Sequence, residues 1–216
     1  MTPGAFFDMD RTLIRCNSGS LWIRWQRQRG EMSLYQTVRA IGWLAQYKLA
    51  LLDMEAVVTK ATASMRGQAE RELVAKAREF FDGLIAGEVA PKALAALEHH
   101  RKQGHVVAIL STSTPYVVEP LAQRLGIEHA ICTRMNVVDG KFDGTHKKPA
   151  CYGPGKVHWA EAFAREHGVD LAKSFFYTDS YTDLPMLERV GVARVVNPDT
   201  RLKRHAKRVG WQVDEW

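Results

Sequence analysis

The sequence predicts an α/β protein built on a doubly wound parallel sheet. Two observations carry this: helix-patterned and strand-patterned segments alternate from residue 90 onward, and the strand segments are continuous apolar runs, as in sheets covered on both faces. A third observation adds to the core. Residues 16–87 carry only helical patterns between one strand and the next, far more chain than an ordinary strand-to-helix connection uses. The expected division is therefore a core of residues 1–15 and 88–216 with an all-helical cap at 16–87.

The first strand is the apolar run beginning at Ala5, which stops abruptly at Asp8 and Asp10. Within the insert, Trp22, Trp25, Leu44, Tyr47 and Leu51 fall at spacings of three, four and seven, with Ile41 and Trp43 in the same pattern. Gly30 separates two helical patterns, and two more follow at Met54–Met65 and Ala69–Phe81 before Gly83 and Gly87 loosen the chain. Pro91 opens a helix that runs to Gln103 and stops at Gly104. Its His99-His100 pair reads as the polar end of that helix. Val106–Leu110 is a buried strand ending at Ser111-Thr112-Ser113, Pro115–Leu125 a helix closed by Gly126, and His129–Cys132 a short strand. From Asn136 to Phe142 an Asp-Gly turn between apolar pairs predicts a small β-hairpin flap. A helix from Lys156 to Glu166, a strand Ser174–Tyr177 ending at Thr178-Asp179, a short helix Leu184–Val190, a strand Ala193–Val196 and a basic helix from Asp199 complete the chain.

Composition excludes several classes of function. A hydrophobic fraction of 46% and a charged fraction of 25% are ordinary for a globular chain of 216 residues. There is no apolar run long enough to span a membrane and no basic-then-apolar N-terminus, so the expected location is cytoplasmic. Cys16, Cys132 and Cys151 are an odd, scattered set that fits reduced thiols, and the eight histidines show no zinc-ligand spacing. The net charge of +6 suits an enzyme drawing in small anions, but equally a binder of nucleic acid or an anionic membrane through Arg201–Arg208. A solvated helix face accounts for that basic run more simply. Gly153-Pro154-Gly155-Lys156 resembles a phosphate loop, but Ala150 and Val157 break the required pattern.

Asp8 and Asp10 taken alone fit a strand-ending turn with a helix cap as well as they fit a catalytic pair. The other strand ends change the balance, because in a parallel sheet the carboxyl ends of the strands share one edge. Ser111, Lys156 at the opening of a helix, and Asp179 with Asp183 would then converge with Asp8 and Asp10 on one crevice. This set is complementary for phosphoryl transfer. A carboxylate can attack phosphorus, a second acid can protonate the departing oxygen, and the spread negative charge of the transferred group calls for a hydroxyl, a lysine and a hard cation held by oxygen ligands.

Asp8-x-Asp10-x-Thr12, Ser111 after an apolar strand, Lys156, and Asp179-x-x-x-Asp183 resemble the four motifs of the haloacid dehalogenase (HAD) superfamily of phosphatases, over the whole chain. The resemblance implies a HAD-like core, Asp8 as nucleophile, and Asp10 as general acid and then base. It implies that Ser111 and Lys156 hold the phosphoryl group with Thr12 and Thr112 beside them. Mg2+ would be bound by Asp8, Asp10 through its backbone carbonyl, Asp179 and Asp183. The helical insert and hairpin resemble the branch containing phosphoserine phosphatase. Asn17-Ser18-Gly19-Ser20-Leu21-Trp22, Asp183-Leu184-Pro185 and Val196-Asn197-Pro198-Asp199 are similar to a bacterial group that includes histidinol-phosphate phosphatases.

Departures fall at the substrate end. Asn17 stands where phosphoserine phosphatases carry a glutamate, Thr112-Ser113 where they carry two glycines, and Asn17-Ser18-Gly19 lacks both acids of the Asp-Ser-Asp found in the histidinol-phosphate group. Thr178 occupies a place where glycine is common. The expected substrate is a small-molecule phosphate ester, with Asn17, Trp22 and Trp25 as candidate cap contacts, although helical spacing favours both tryptophans as members of the cap core over substrate contacts. A phosphotransferase is the nearest alternative.

Overall fold

The computed structural model describes residues 1–35, 38, 42 and 54–216. The helical positions expected at Ile41, Trp43, Leu44, Tyr47 and Leu51 lie outside them.

Strand β1 (Thr2–Phe7) is the centre of a six-stranded sheet whose other members are β2 (Val106–Ser111), β3 (His129–Cys132), β6 (Val169–Thr178), β7 (Val192–Val196) and β8 (Gln212–Asp214). The order is β3-β2-β1-β6-β7-β8 and every pairing is parallel. Strand order reverses between β1 and β6, the kind of position where open α/β sheets form a ligand crevice.

Alternation along β1 shows why its apolar run is continuous. Ala5 and Phe7 enter one core with α4 (Pro91–Lys102) and α5 (Pro115–Leu125). Phe6 enters the other, with α6 (Pro154–His167), α7 (Leu184–Arg189) and α8 (Thr200–Val209). Successive side chains of a strand point to opposite faces, so a strand covered on both sides has no polar position to offer. The sheet exceeds the expected extents: β1 begins at Thr2 rather than Ala5, β6 is ten residues long, and β8 adds a three-residue edge strand that no periodicity marked.

Between β1 and α4 lie α1 (Ser18–Gln28), α2 (Met54–Ala63), α3 (Glu70–Phe80) and a π-helical turn (Phe81–Ile85). The chain leaves and re-enters the core side by side: Ala90 donates to the Leu13 carbonyl at 2.9 Å and Arg15 to the Glu88 carbonyl at 2.9 Å. The hairpin β4 (Met135–Val138) and β5 (Lys141–His146) turns at Asp139 and Gly140, with φ of 50° and 72°. Both central residues are left-handed, as a two-residue turn matching strand twist requires. The hairpin then joins the insert, since Phe142 exchanges backbone hydrogen bonds with Gly67 and Gln68 at 2.8 and 3.0 Å. Glu55, in the first turn of α2, accepts from His146 Nε2 at 2.8 Å and from the Ala150 N–H at 2.7 Å.

His100 departs from expectation. It is wholly buried, on the same face of α4 as Ala93 and Leu97. Its Nε2 is 2.9 Å from the Tyr177 hydroxyl and its Nδ1 is 2.8 Å from His105 Nδ1. Burial, followed by the charges of His105, His99 and Arg194, pushes its pKa down from 6.5 to about 4. The folded state therefore resists a proton that the unfolded chain accepts. This contribution is complete above pH 6.5 and is lost as pH falls toward about 4. Its full size is on the order of 3 kcal/mol. Urea titrations at several pH values should show the stability of the native chain relative to His100→Gln falling as pH drops from 6.5 toward about 4; a difference that does not vary with pH would contradict the assignment.

Candidate active site

The site is built on the carboxyl ends of β1, β2 and β6 and the start of α6. Asp8 extends the ladder one residue past β1, its N–H donating to the Tyr177 carbonyl at 2.8 Å, so its side chain sits at the switch in strand order. The chain then turns at Arg11, which has φ of 55° and whose carbonyl accepts from Asn197 Nδ2 at 2.9 Å. That turn returns Asn17 and Ser18 to Asp10. Asp10 Oδ1 accepts from the Ser18 N–H and Oδ2 from Asn17 Nδ2, both at 3.0 Å. Asn17 Oδ1 meanwhile caps α1, accepting from the Ser20 N–H at 2.9 Å and its hydroxyl at 2.7 Å. Thr12 is wholly buried beneath the turn, and its Oγ1 has no hydrogen-bond partner among the described residues.

Lys156 is the buried cation of the site. Its Nζ donates to Asp8 Oδ1 and to Asp183 Oδ2, both at 2.7 Å, while 1% of the residue is exposed. The start of α6 can hold it there because Gly155 lies against the loop before it. A Cβ on Gly155 would come within 1.9 Å of the Ala150 carbonyl oxygen, a distance no side chain tolerates. Asp183 Oδ2 also accepts from the Thr178 hydroxyl at 2.7 Å. Thr178, noted in the sequence only as a replacement for glycine, thus fixes the acid that fixes the lysine. Ser111 ends β2, is 3% exposed, and its Oγ accepts from the Ser113 N–H at 3.2 Å. Asp179 follows β6 directly, and its backbone carbonyl accepts from Asp199 at 2.8 Å.

Electrostatics in this crevice are unbalanced toward the acids. Burial raises the pKa of Asp8, opposed by Lys156 and reinforced by Asp183 and Asp10. Asp179 is pushed up to about 8 by burial and then by the charges of Asp8 and Asp183. Asp10 is raised by burial, against the hydrogen bonds from Ser18. Lys156 is held protonated by Asp183 and Asp8 despite a larger opposing effect of burial. One lysine thus faces Asp8, Asp10, Asp179 and Asp183, a charge balance that a bound cation would restore. The donors left over are hard oxygens: no hydrogen bond occupies Asp8 Oδ2 or either Asp179 carboxylate oxygen among the described residues. Among the described residues no three acidic, histidine or cysteine side chains are gathered closely enough to hold an ion by themselves. The oxygen donors of Asp8 and Asp179 suit magnesium, which keeps several waters and uses few protein ligands.

Beside the acids opens a cavity of about 950 Å³. Its lining includes Trp22 as well as Ser18, Thr112 and Ser113, the first of these three hydrogen-bonded to Asp10 and the other two directly following Ser111 in the chain. Trp25 does not line it; it packs on Trp22 and Phe80 at centroid distances of 5.2 and 5.8 Å. Residues not singled out from the sequence also hold the site together. Asp199 caps α8 and accepts from the Tyr181 N–H at 2.7 Å, tying α8 to the loop after Asp179. Its position at the start of a helix pattern was the available signal.

A crevice of acids around one lysine, at the switch point of a doubly wound sheet, defines a class of phosphate-handling hydrolases. The model for haloacid dehalogenase-like hydrolases matches residues 5–188, and the chain belongs to that family. It is 34% identical, over its whole length and 71% of the relative's, to phosphoserine phosphatase SerB1 of Mycobacterium tuberculosis. It is 28% identical to a histidinol-phosphatase of Neisseria meningitidis, covering 97% of this chain and 96% of that one. Among solved structures, a Bordetella pertussis protein of unknown function matches with a TM-score of 0.87 and 26% identity, over 99% of both chains. A substrate-bound phosphoserine phosphatase shares the fold with a TM-score of 0.70 at 19% identity, covering 100% of this chain and 93% of that one. The protein is a phosphatase.

Lys156→Met strands two buried carboxylates. Removing one partner of a buried ion pair costs about 3–5 kcal/mol, so the urea midpoint should fall accordingly. A midpoint within experimental error of the native one would show that the Asp8–Lys156–Asp183 chain contributes nothing to stability.

Proposed function

We propose that the protein hydrolyses phosphate monoesters of small molecules with Mg2+ and through a phosphoryl-aspartate on Asp8. The observation that carries this is the hydrogen-bonded chain Asp8–Lys156–Asp183. Lys156 holds Asp8 Oδ1 and so orients the other oxygen as nucleophile. As Asp8 attacks, its oxygen bonds to phosphorus and the ester P–O bond breaks. Asp10, steadied by Asn17 and Ser18, gives a proton to the departing alkoxide. Asp10 then takes a proton from water as that water attacks the phosphoryl-aspartate, releasing inorganic phosphate and restoring Asp8. Ser111, Thr112 and Lys156 contact the phosphoryl oxygens. Asp8, Asp179, the Asp10 carbonyl and, less directly, Asp183 would hold Mg2+, which would supply charge neutralisation for the transferred group.

Residues 16–87 act as the cap, hinged where Leu13 and Arg15 pair with Ala90 and Glu88, and the hairpin serves as its flap. The activities named for the relatives, on phosphoserine and histidinol phosphate, support a monoester substrate.

Asp8→Asn should lower turnover of phenyl phosphate by at least about 10³-fold while the variant still folds, as circular dichroism would show; retained turnover would remove the mechanism. Chelation with EDTA should abolish phosphate release and added Mg2+ restore it. Calorimetry should show weaker Mg2+ binding to Asp179→Asn, a readout independent of turnover. Product analysis with added alcohol acceptors separates hydrolysis from phosphotransfer.

A further inference from the structure

The cavity beside the acids says more about the leaving group than the phosphate site does. We propose that it receives the alcohol half of the substrate as a bulky, uncharged and mainly apolar group, so that the preferred substrates are aromatic or alkyl phosphate monoesters rather than amino-acid phosphates. This rests on the hydrolase reading above.

Three observations support it. The first is location: Ser18 donates its N–H to Asp10 and Ser113 donates to Ser111, and both residues line the cavity. The cavity therefore lies one hydrogen bond from Asp10 and one residue from Ser111, where it can receive a group leaving the phosphoryl site. The second is size and lining. At about 950 Å³ the cavity is at the upper end of the range for small-molecule sites, and far larger than the side of an amino acid. Val58, Leu73 and Val117 line it, and Trp22 and Phe80 meet edge to face at 5.1 Å on its wall.

The third is charge. An ammonium one or two bonds from the ester carbon needs a carboxylate near it. Both oxygens of Asp10 already accept hydrogen bonds, and Asn17 spends its side chain on Asp10 and on capping α1. The charged residues on the cavity wall are Lys60, Glu72 and Lys76 among the described residues. Glu72 is exposed, and Lys76 is paired with Glu31 at 2.8 Å. Among the described residues Glu72 is the one carboxylate on the cavity wall, and it is exposed, whereas Trp22, Val58, Leu73, Phe80 and Val117 supply apolar surface.

The test is a series of alkyl phosphates, ethyl, butyl and hexyl, whose leaving alcohols are of nearly equal basicity, compared with O-phosphoserine and histidinol phosphate. Burial of each methylene predicts a gain in kcat/KM of roughly threefold, so hexyl phosphate should exceed ethyl phosphate by well over tenfold and both amino compounds should fall below butyl phosphate. Leu73→Gln should reduce the hexyl-to-ethyl ratio. A flat or falling alkyl series, or phosphoserine or histidinol phosphate turned over more efficiently than hexyl phosphate, overturns the inference while leaving the hydrolase reading intact. Failure to hydrolyse every ester, phenyl phosphate included, overturns that reading and the inference with it.

Discussion

The burial of a single ammonium group organises this protein. Lys156 loses nearly all contact with water and must recover that cost from acids placed within hydrogen-bonding distance. Asp8 and Asp183 come from distant parts of the chain, and each has its own support. Asp8 is held by the β1–β6 ladder through Tyr177, and Asp183 by the hydroxyl of Thr178. Gly155 lets α6 approach closely enough for the lysine to reach both. Loss of any one of these supports would leave a charge in the interior without its partner.

The sheet brings these parts together because its strand order reverses at β1. Chain on one side of the reversal supplies Ser111, and chain on the other supplies Asp179 and Asp183. The strand ends form a crevice with no need for long loops, which leaves the insert free to shape the neighbouring cavity. The proposed phosphate chemistry and leaving-group recognition would thus reside in different parts of the chain. A family resemblance carried by the first part says little about the second.

The core and the acids were legible in the sequence for a physical reason: buried parallel strands must be apolar throughout, so their sudden ends at Asp8, Ser111 and Asp179 are conspicuous. Features that depend on three-dimensional approach were not. Nothing local to Gly155 announces that the Ala150 carbonyl lies against it, and Asn17 looks like a substrate contact until its two roles, capping α1 and holding Asp10, are seen together. His100 is a middle case. Its spacing of three from Leu97 and seven from Ala93 places it on the buried face, but its polar neighbour His99 masks that pattern. Strand β8 is too short to show any period.

Glu55 has a mechanical consequence. Its carboxylate satisfies two donors on the core side, the ring of a buried histidine and a backbone amide five residues before Gly155. Lifting α2 straight off the core would strand both donors at once, at a cost of about 1.5–3 kcal/mol for each charge-assisted bond. The insert is therefore tied to the core beside the segment that carries Lys156, and the bonds from Gly67 and Glu70 to the hairpin add a second attachment at the start of α3.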